Sequence, residues 1–416
     1  MRRASYRTLK SIFHQRDAVG ADAEERARRG SPSAMTWGFR LGGHQMFCMT
    51  TPRMSVLTER VMMLDARAQS AWASLPLVAQ SHYRHSMIVE EIQATNDIEN
   101  VRSTRREIVD ALRSLQDGLT QKRRFREMVR LYEALGDRTV SPPETLDDIR
   151  ALYDSVTAGE VAPGDEPDGT RFRAGTVSIT SGQKVVHVGM TPESAIDDAL
   201  TVMLAQRCDE DVPRLIRAAV AHLIFEVAHP FYDGNGRTGR YLMALDIGEL
   251  LSPISWFSLS ATIFDNKDSY YRAFTEVEHP LNRGDATPFV EVMLGIFSEA
   301  LHRLATDLDE RREALSVLHQ CIRDIGRHVD APADIDDDGR AILFALGQAA
   351  LFGLRGVLTL NELADSGTRS KQFVRSRVQS FVDARLVDVI SRKPLRFQLS
   401  SAGRALCGVA VAPSAG

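Results

Sequence analysis

Apolar residues recur at helical spacing through most of the chain. The strongest run covers residues 212–228, and a second helical run extends over about residues 237–251. Between the two runs lies a short stretch with a proline and several glycines, which interrupt a helix. The pattern therefore predicts two helices joined by a tight loop near the middle of the chain.

Further helices are predicted before and after this pair. Residues 81–100 form an amphipathic helix, and residues 103–157 supply three more. Two runs of β-forming residues flank Ser181-Gly182, which predicts a hairpin within this helical region. We therefore expect a mainly α domain, a helical bundle with one β-hairpin, over residues 54–330.

The pattern changes after an acidic linker at residues 331–338. The sequence then predicts three helices followed by two strands, at residues 339–351, 360–364, 370–385, 386–391 and 396–400. This order resembles a winged helix-turn-helix, which we expect over residues 339–408. Four basic residues lie on or beside its would-be recognition helix: Arg369, Lys371, Arg375 and Arg377. They suit DNA phosphates, but winged helices also dock on proteins, and the sequence leaves both open.

Residues 1–53 carry scattered basic residues without a sustained apolar period. We expect a disordered extension there. A basic arm that binds nucleic acid or lipid is the alternative.

Composition narrows the class of protein only slightly. The length of 416 residues allows about two or three domains, and the net charge of −4 says little about partners. Four cysteines, at positions 48, 208, 321 and 407, match no metal-ligand or redox spacing, so we expect buried or free thiols in a reducing, cytoplasmic compartment. The sequence has no apolar run of membrane-spanning length and no signal-peptide pattern, so we expect no membrane span.

The loop between the two central helices concentrates reactive side chains. His229 and Asp233 lie four residues apart, and Arg237 and Arg240 lie three apart at the start of the second helix. Free N–H groups and the dipole at a helix start favour anions. A carboxylate suits Mg²⁺ held jointly with phosphates, and an imidazole can act as a base near neutral pH. These residues predict a cradle for a nucleotide phosphate with a proton acceptor beside it.

Residues 229–240 read His-Pro-Phe-Tyr-Asp-Gly-Asn-Gly-Arg-Thr-Gly-Arg and resemble the signature of Fic-domain proteins, with every fixed position filled. Most members of that family transfer AMP from ATP to a Ser, Thr or Tyr hydroxyl of another protein. The resemblance implies that His229 takes the proton of the target hydroxyl, that Asp233 holds Mg²⁺ against the α- and β-phosphates, and that Phe231 anchors the loop. It assigns nucleotide contacts to Asp233, Gly234, Asn235, Gly236, Arg237, Thr238, Gly239 and Arg240. A branch of the family that phosphorylates its targets has Lys at the position of Gly236, so the glycine favours nucleotidyl transfer.

Thr95, Glu99 and Asn100 resemble the inhibitory motif of Fic proteins, Ser/Thr-x-x-x-Glu-Gly/Asn, placed before the signature. The resemblance implies that Glu99 pairs with Arg240, occupies the charge meant for the terminal phosphate and misplaces ATP. Thr95 lies one turn earlier and would help to fix Glu99. The alternative is a surface helix that stops at Asn100.

Val185, Val186, His187 and Val188 fall in the predicted hairpin. Fic proteins have a hairpin flap at this point of the chain, which lies over the active site and pairs with an extended target segment. The alternative is a structural hairpin that covers the core, in which His187 is an ordinary surface residue.

Tyr270, Tyr271 and Asn282 resemble family segments that line the adenine and ribose pocket. Adjacent tyrosines on a helix point in different directions, so we expect at most one to stack on the base. Core packing is the alternative.

The resemblance predicts a protein adenylyltransferase that uses ATP and Mg²⁺ and is autoinhibited by Glu99. Two alternatives remain: a hydrolase that removes AMP with a water oriented by Glu99, and a winged-helix DNA-binding regulator whose Fic part senses nucleotide. The sequence leaves open the target protein, the base of the donor nucleotide, and the oligomeric state, including a homodimer.

Overall fold

The computed structural model describes residues 6–116, 124–181, 184–327, 335–367 and 369–409. The chain forms two compact units. The first contains the chain up to Ala66 together with Ile88–Arg303, and the second contains Arg67–Met87 together with the chain from Leu304 onward. These limits differ from the predicted domain boundaries, because three long helices contribute residues to both units.

The first unit is mainly helical, as predicted. Its elements follow in this order: α1 (Leu9–Arg16), α2 (Ala18–Arg29), β1 (Ala34–Leu41), β2 (His44–Met49), α3 (Pro52–Ala73), α4 (Leu77–Ile98), α5 (Arg105–Gln116), α6 (Arg126–Gly136), α7 (Leu146–Val156), β3 (Ser178–Ser181), β4 (Lys184–Val188), α8 (Glu193–Ala205), α9 (Arg214–Ala228), α10 (Asn235–Gly248), α11 (Leu259–Asp265), α12 (Lys267–Glu278) and α13 (Thr287–Asp324). Helices α3, α4 and α13 continue into the second unit. The predicted hairpin is present as the antiparallel pair β3 and β4.

The prediction of a disordered extension is wrong for residues 6–53. Leu9, Ile12 and Phe47 are buried against one another and form a small hydrophobic core. Arg28 is structural, because its buried guanidinium donates to a carboxylate oxygen of Asp285 at 2.9 Å. A charge removed from water needs a partner of this kind, and the sequence pattern did not reveal it because the partner lies far along the chain.

Helices α9 and α10 form the centre of the first unit. Nearly every residue of α9 is buried, which is typical of a helix surrounded by protein on all sides. Tyr132 of α6 stacks on Trp256 with ring centroids 5.8 Å apart, and it meets Tyr241 of α10 edge-on at 5.2 Å. The loop between α9 and α10 is therefore held at both ends by rigid, buried helices.

The second unit contains the carboxy-terminal elements, which are α14 (Asp337–Phe352), β5 (Val357–Thr359), α15 (Leu360–Gly367), α16 (Lys371–Asp383), β6 (Val387–Arg392), β7 (Leu395–Leu399) and α17 (Ser401–Leu406). The three helices and two strands that the sequence predicts are all present. Strand β5 was missed because three residues are too few to show alternation. It pairs antiparallel with β7, which pairs with β6.

The predicted linker at residues 331–338 lies partly outside the described residues. In its described part, Asp336 caps α14, because its side chain accepts the N–H of Gly339 at 2.9 Å. The four cysteines form no disulfide within the described chain. None of the described helices combines the length and the apolar character that crossing a bilayer requires.

Candidate active site

His229 lies directly after the last residue of α9. Its backbone is left-handed, with φ 50° and ψ 62°, and its N–H donates to the carbonyl oxygen of Phe225 at 2.9 Å. This geometry ends the helix and turns the chain sharply. The ring atom Nδ1 lies 3.3 Å from the carbonyl oxygen of Glu226. With the proton on Nδ1 for that bond, Nε2 carries the free lone pair.

The imidazole of His229 is neutral at physiological pH. It is 9% exposed, and burial, with smaller contributions from His187 and Arg173, lowers its pKa to about 3. A neutral imidazole can accept a proton, whereas a protonated one cannot. The site therefore presents His229 in the form that a general base needs.

Arg173 holds the His229 loop in place, and the sequence did not single it out for this role. Its guanidinium is fully buried and donates from Nε to the carbonyl oxygen of His229 at 2.8 Å. Further donors reach the carbonyl oxygens of Gly175 at 2.5 Å and Met190 at 2.9 Å. One side chain thus joins the loop to the two ends of the hairpin segment.

Phe231 and Asn235 fix the shape of the loop. The ring of Phe231 is fully buried and stacks on Tyr153, with centroids 3.6 Å apart and planes 9° from parallel. The Asn235 side chain accepts the N–H of Phe231 at 2.9 Å and donates to its carbonyl oxygen at 2.7 Å. The predicted phosphate contact of Asn235 therefore cannot come from its side chain, which is used within the loop.

Asp233 is the accessible carboxylate of the loop, with a side chain 48% exposed. Its Oδ1 accepts the N–H of Gly234 at 2.7 Å, and its Oδ2 lies 3.6 Å from Nη2 of Arg237. Among the described residues no three acidic, histidine or cysteine side chains gather in a metal-binding group. One exposed carboxylate fits a Mg²⁺ ion that is held mainly by substrate phosphates and water.

Arg237 is paired with a residue that sequence reasoning missed. Its side chain is 1% exposed and forms an ion pair with Glu160, whose side chain is 5% exposed. Arg124 also contacts Glu160, at 3.2 Å. Burial raises the pKa of Glu160, and the two arginines oppose that shift. Glu160 belongs to a loop with no motif of its own, so no sequence signal identified it.

Arg240 is paired with Glu99. Its side chain is 2% exposed, and its Nη1 donates to Oε1 of Glu99 at 2.9 Å. Burial disfavours the charged guanidinium, but Glu99 and other nearby acidic groups outweigh this effect and raise the pKa of Arg240. Thr95 bonds Arg240 rather than Glu99, with Oγ1 at 2.7 Å and the carbonyl oxygen at 3.1 Å.

The end of α4 places Glu99 over the start of α10. Asn100 is left-handed, with φ 56°, and lies just past the end of the helix. Lys267 donates to the carbonyl oxygen of Ile98 at 2.6 Å and so holds this helix end. A Cβ atom on Gly236 would lie 2.1 Å from Oε1 of Glu99. Glycine at position 236 is therefore what allows the carboxylate to approach.

Other signature residues support the start of α10. Gly234 has φ 79°, which favours glycine, and the hydroxyl of Thr238 donates to its carbonyl oxygen at 2.9 Å. Gly239 packs against Glu226, because a Cβ there would lie 2.2 Å from Oε1. Burial raises the pKa of Glu226 to about 8, so this carboxyl is largely neutral at pH 7.

The three residues of the predicted base pocket differ in exposure. Tyr270 is buried and its hydroxyl lies 2.7 Å from Nε2 of His222. Asn282 is also fully buried, and its Oδ1 accepts the N–H of Lys10 at 3.0 Å. These contacts and this burial favour the core-packing alternative for both residues. Tyr271 is 41% exposed and stays a candidate for stacking on a base.

The valines of the hairpin are exposed, whereas its histidine is mostly buried. Val185, Val186 and Val188 are 50%, 39% and 53% exposed. The His187 side chain is only 10% exposed, and its Nδ1 lies 2.7 Å from Oε2 of Glu278 at the end of α12. His187 is therefore not the ordinary surface residue of the alternative interpretation.

Comparison with known proteins gives a family match and similar folds. Residues 143–245 match the model of the Fic/DOC family, and this stretch contains the hairpin and the whole loop from His229 to Arg240. A Fic family protein from Desulfovibrio desulfuricans is similar over 85% of this chain and 97% of that chain, with 23% identity and a TM-score of 0.50. At this identity the likeness shows a shared fold.

Two further solved structures are similar over smaller parts of the chain. Fic-1 (residues 134–508) from C. elegans matches 62% of this chain and 74% of that chain, with 17% identity and a TM-score of 0.41. A Fic domain containing signaling protein from Bacteroides thetaiotaomicron matches 60% of this chain and 98% of that chain, with 16% identity and a TM-score of 0.41.

Replacing Glu160 with glutamine should destabilise the first unit. The change leaves the buried Arg237 charge without its carboxylate, which costs about 3 kcal/mol. Urea unfolding measures this loss, and Asp165→Asn, an exposed carboxylate in the same loop, is the matched control that should change little. Equal midpoints for Glu160→Gln and the control would show that Glu160 is not the counter-ion of Arg237.

Proposed function

Because residues 143–245 form a Fic/DOC family domain, we propose that the protein is an adenylyltransferase, which moves AMP from ATP to a Ser, Thr or Tyr hydroxyl of a target protein. The observation that carries the proposal is the ion pair between Arg240, in α10, and Glu99. The loop just before α10 also presents a neutral His229. The carboxylate forms an ion pair with a buried guanidinium near the start of a helix, and helix starts bind phosphates well. The reacting groups lie in the loop after α9 and in the first two turns of α10.

The chemistry follows from the positions of the side chains. Nε2 of His229 accepts the proton of the target hydroxyl, whose oxygen attacks the α-phosphorus of ATP while pyrophosphate leaves. Free N–H groups at the start of α10, with Arg237 and Arg240, bind the phosphate oxygens once their carboxylate partners have moved. Asp233 would hold Mg²⁺, which neutralises phosphate charge when bound. Positioning and charge stabilisation supply most of the rate.

Glu99 makes the resting protein a poor binder of ATP. The terminal phosphate needs Arg240, and the carboxylate has to leave before the phosphate can take its place. A charge-assisted hydrogen bond contributes about 2 kcal/mol, which corresponds to roughly thirty-fold in affinity. We propose that this competition is the autoinhibition, and that Lys267 strengthens it by holding the end of α4. The reverse reaction, with Glu99 orienting a water to remove AMP, is the alternative within the same site.

Replacing Glu99 with glycine should release the activity. With labelled ATP, we expect about 10–100-fold more label on the protein itself or on lysate proteins than with wild type, because the carboxylate no longer competes. Asp97→Gly is the matched control, since it places a glycine two positions earlier and does not remove the partner of Arg240. Parallel reactions with the other three nucleotides identify the base.

The double variant His229→Ala with Glu99→Gly separates the enzyme from a nucleotide sensor. It should lose the label completely, because the base is gone. Equal labelling by Glu99→Gly and the double variant would contradict the proposed transfer reaction.

The carboxy-terminal elements support a second proposal, a winged helix. The order of α14, β5, α15, α16 and the β6–β7 hairpin is the order of that domain, with α16 as the recognition helix. Two of the four predicted DNA-contacting cations are neutralised within the unit, because Arg369 and Arg377 pair with Asp338 and Asp336. Of these four cations, Lys371 and Arg375 form no ion pair among the described residues, and the loss of the other two favours docking on a protein over DNA.

A salt-dependent DNA binding measurement decides between the two docking modes. If the winged helix docks on protein, duplex DNA should bind weakly and Lys371→Ala with Arg375→Ala should make no difference. Strong retention that falls with salt, with a slope reduced by the double variant, would instead establish DNA binding.

A further inference from the structure

His187 lies beside His229 in a setting that the proposed reaction has not yet used. The two imidazole centroids are 5.8 Å apart and the rings are tilted by 58°. A Cβ atom on Gly189, at the end of the hairpin segment, would lie 3.1 Å from the Cβ of His229. The hairpin therefore packs directly on the base, and His187 is held within reach of it.

Glu278 fixes the orientation of His187. The carboxylate Oε2 lies 2.7 Å from Nδ1, so the imidazole donates its Nδ1 proton to Glu278. This leaves the lone pair on Nε2, which is buried and has no hydrogen-bond partner. A buried polar atom without a partner calls for an explanation. An imidazole backed by a carboxylate is an arrangement that accepts a proton and stabilises the imidazolium that forms.

After each transfer, the imidazolium of His229 has to lose its proton before it can act as a base again. Burial lowers its pKa to about 3, so the imidazolium formed during the reaction has to lose its proton quickly. Nε2 of His187 makes no direct hydrogen bond to His229, but the ring separation of 5.8 Å allows a proton to pass through one bridging water. The carboxylate of Glu278, which contacts Nδ1 of His187, supplies the negative charge behind the second imidazole.

We propose that His187, oriented by Glu278, is the proton relay that discharges His229 in the adenylyl transfer proposed above. The O–H bond of the target hydroxyl breaks and its proton moves to Nε2 of His229, while the oxygen–phosphorus bond forms and pyrophosphate leaves. The proton then passes to Nε2 of His187, and Glu278 stabilises the resulting imidazolium. His187 acts on the reaction through His229, so it is a positioning and relay residue.

The test measures transfer from labelled ATP in the Glu99→Gly protein. Adding His187→Ala should lower kcat by about 100-fold, the low end of the range for one proton-transfer group, and leave KM for ATP unchanged. Free imidazole in the buffer should restore part of the lost rate. Glu278→Gln should lower kcat in the same direction without rescue by imidazole. His302→Gln, an exposed histidine elsewhere in the first unit, should behave like the parent.

The outcomes distinguish a proton relay from a residue that only stabilises the position of the hairpin. An unchanged kcat in His187→Ala overturns the relay. A loss of rate that imidazole does not restore and that comes with a raised KM for the target also overturns it. Equal thermal unfolding midpoints of the variants show that any loss is not a folding defect. If the Glu99→Gly parent itself transfers no label, the proposed function fails rather than the relay.

Discussion

A guanidinium removed from water has to be surrounded by anions or by several carbonyl groups, and three arginines of this site meet that need in different ways. Arg173 is bound by backbone carbonyl groups, Arg237 by Glu160, and Arg240 by Glu99 and Thr95. Backbone carbonyl groups cannot leave, so Arg173 is permanently structural. Side-chain carboxylates can move, so in the proposed reaction the other two guanidinium groups exchange these partners for phosphates.

The same burial that makes those arginines need partners prepares His229 for its role. The α9–α10 pair is packed so completely that the imidazole at its turn is desolvated and neutral. The left-handed backbone at His229 and the carbonyl bonds of Arg173 keep the ring at one position. Asp233 is the most exposed of these charged groups, which leaves its carboxylate accessible to a metal ion in the proposed reaction.

The sequence identified the parts of this site that are contiguous. His229, Asp233 and Arg240 stand in one motif and Glu99 stands in another, and the resemblance of both motifs to those of one family pointed to these residues together. Arg173 and Glu160 were missed because their partners lie 56 and 77 positions away, and only the folded chain brings them together. The motif also did not predict which of its side chains are buried. Tyr270 and Asn282 match family segments, and both are buried. The amino-terminal segment was predicted to be disordered for the same reason, because Arg28 is held by Asp285, which lies far along the chain.

The central claim is that Glu99 and the terminal phosphate of ATP compete for Arg240. Calorimetric titration of ATP with Mg²⁺ measures this directly when both proteins carry His229→Ala, which prevents turnover during the experiment. The account predicts that adding Glu99→Ala tightens ATP binding by at least about ten-fold, because the guanidinium becomes free for phosphate. Equal affinities with and without Glu99 would contradict it.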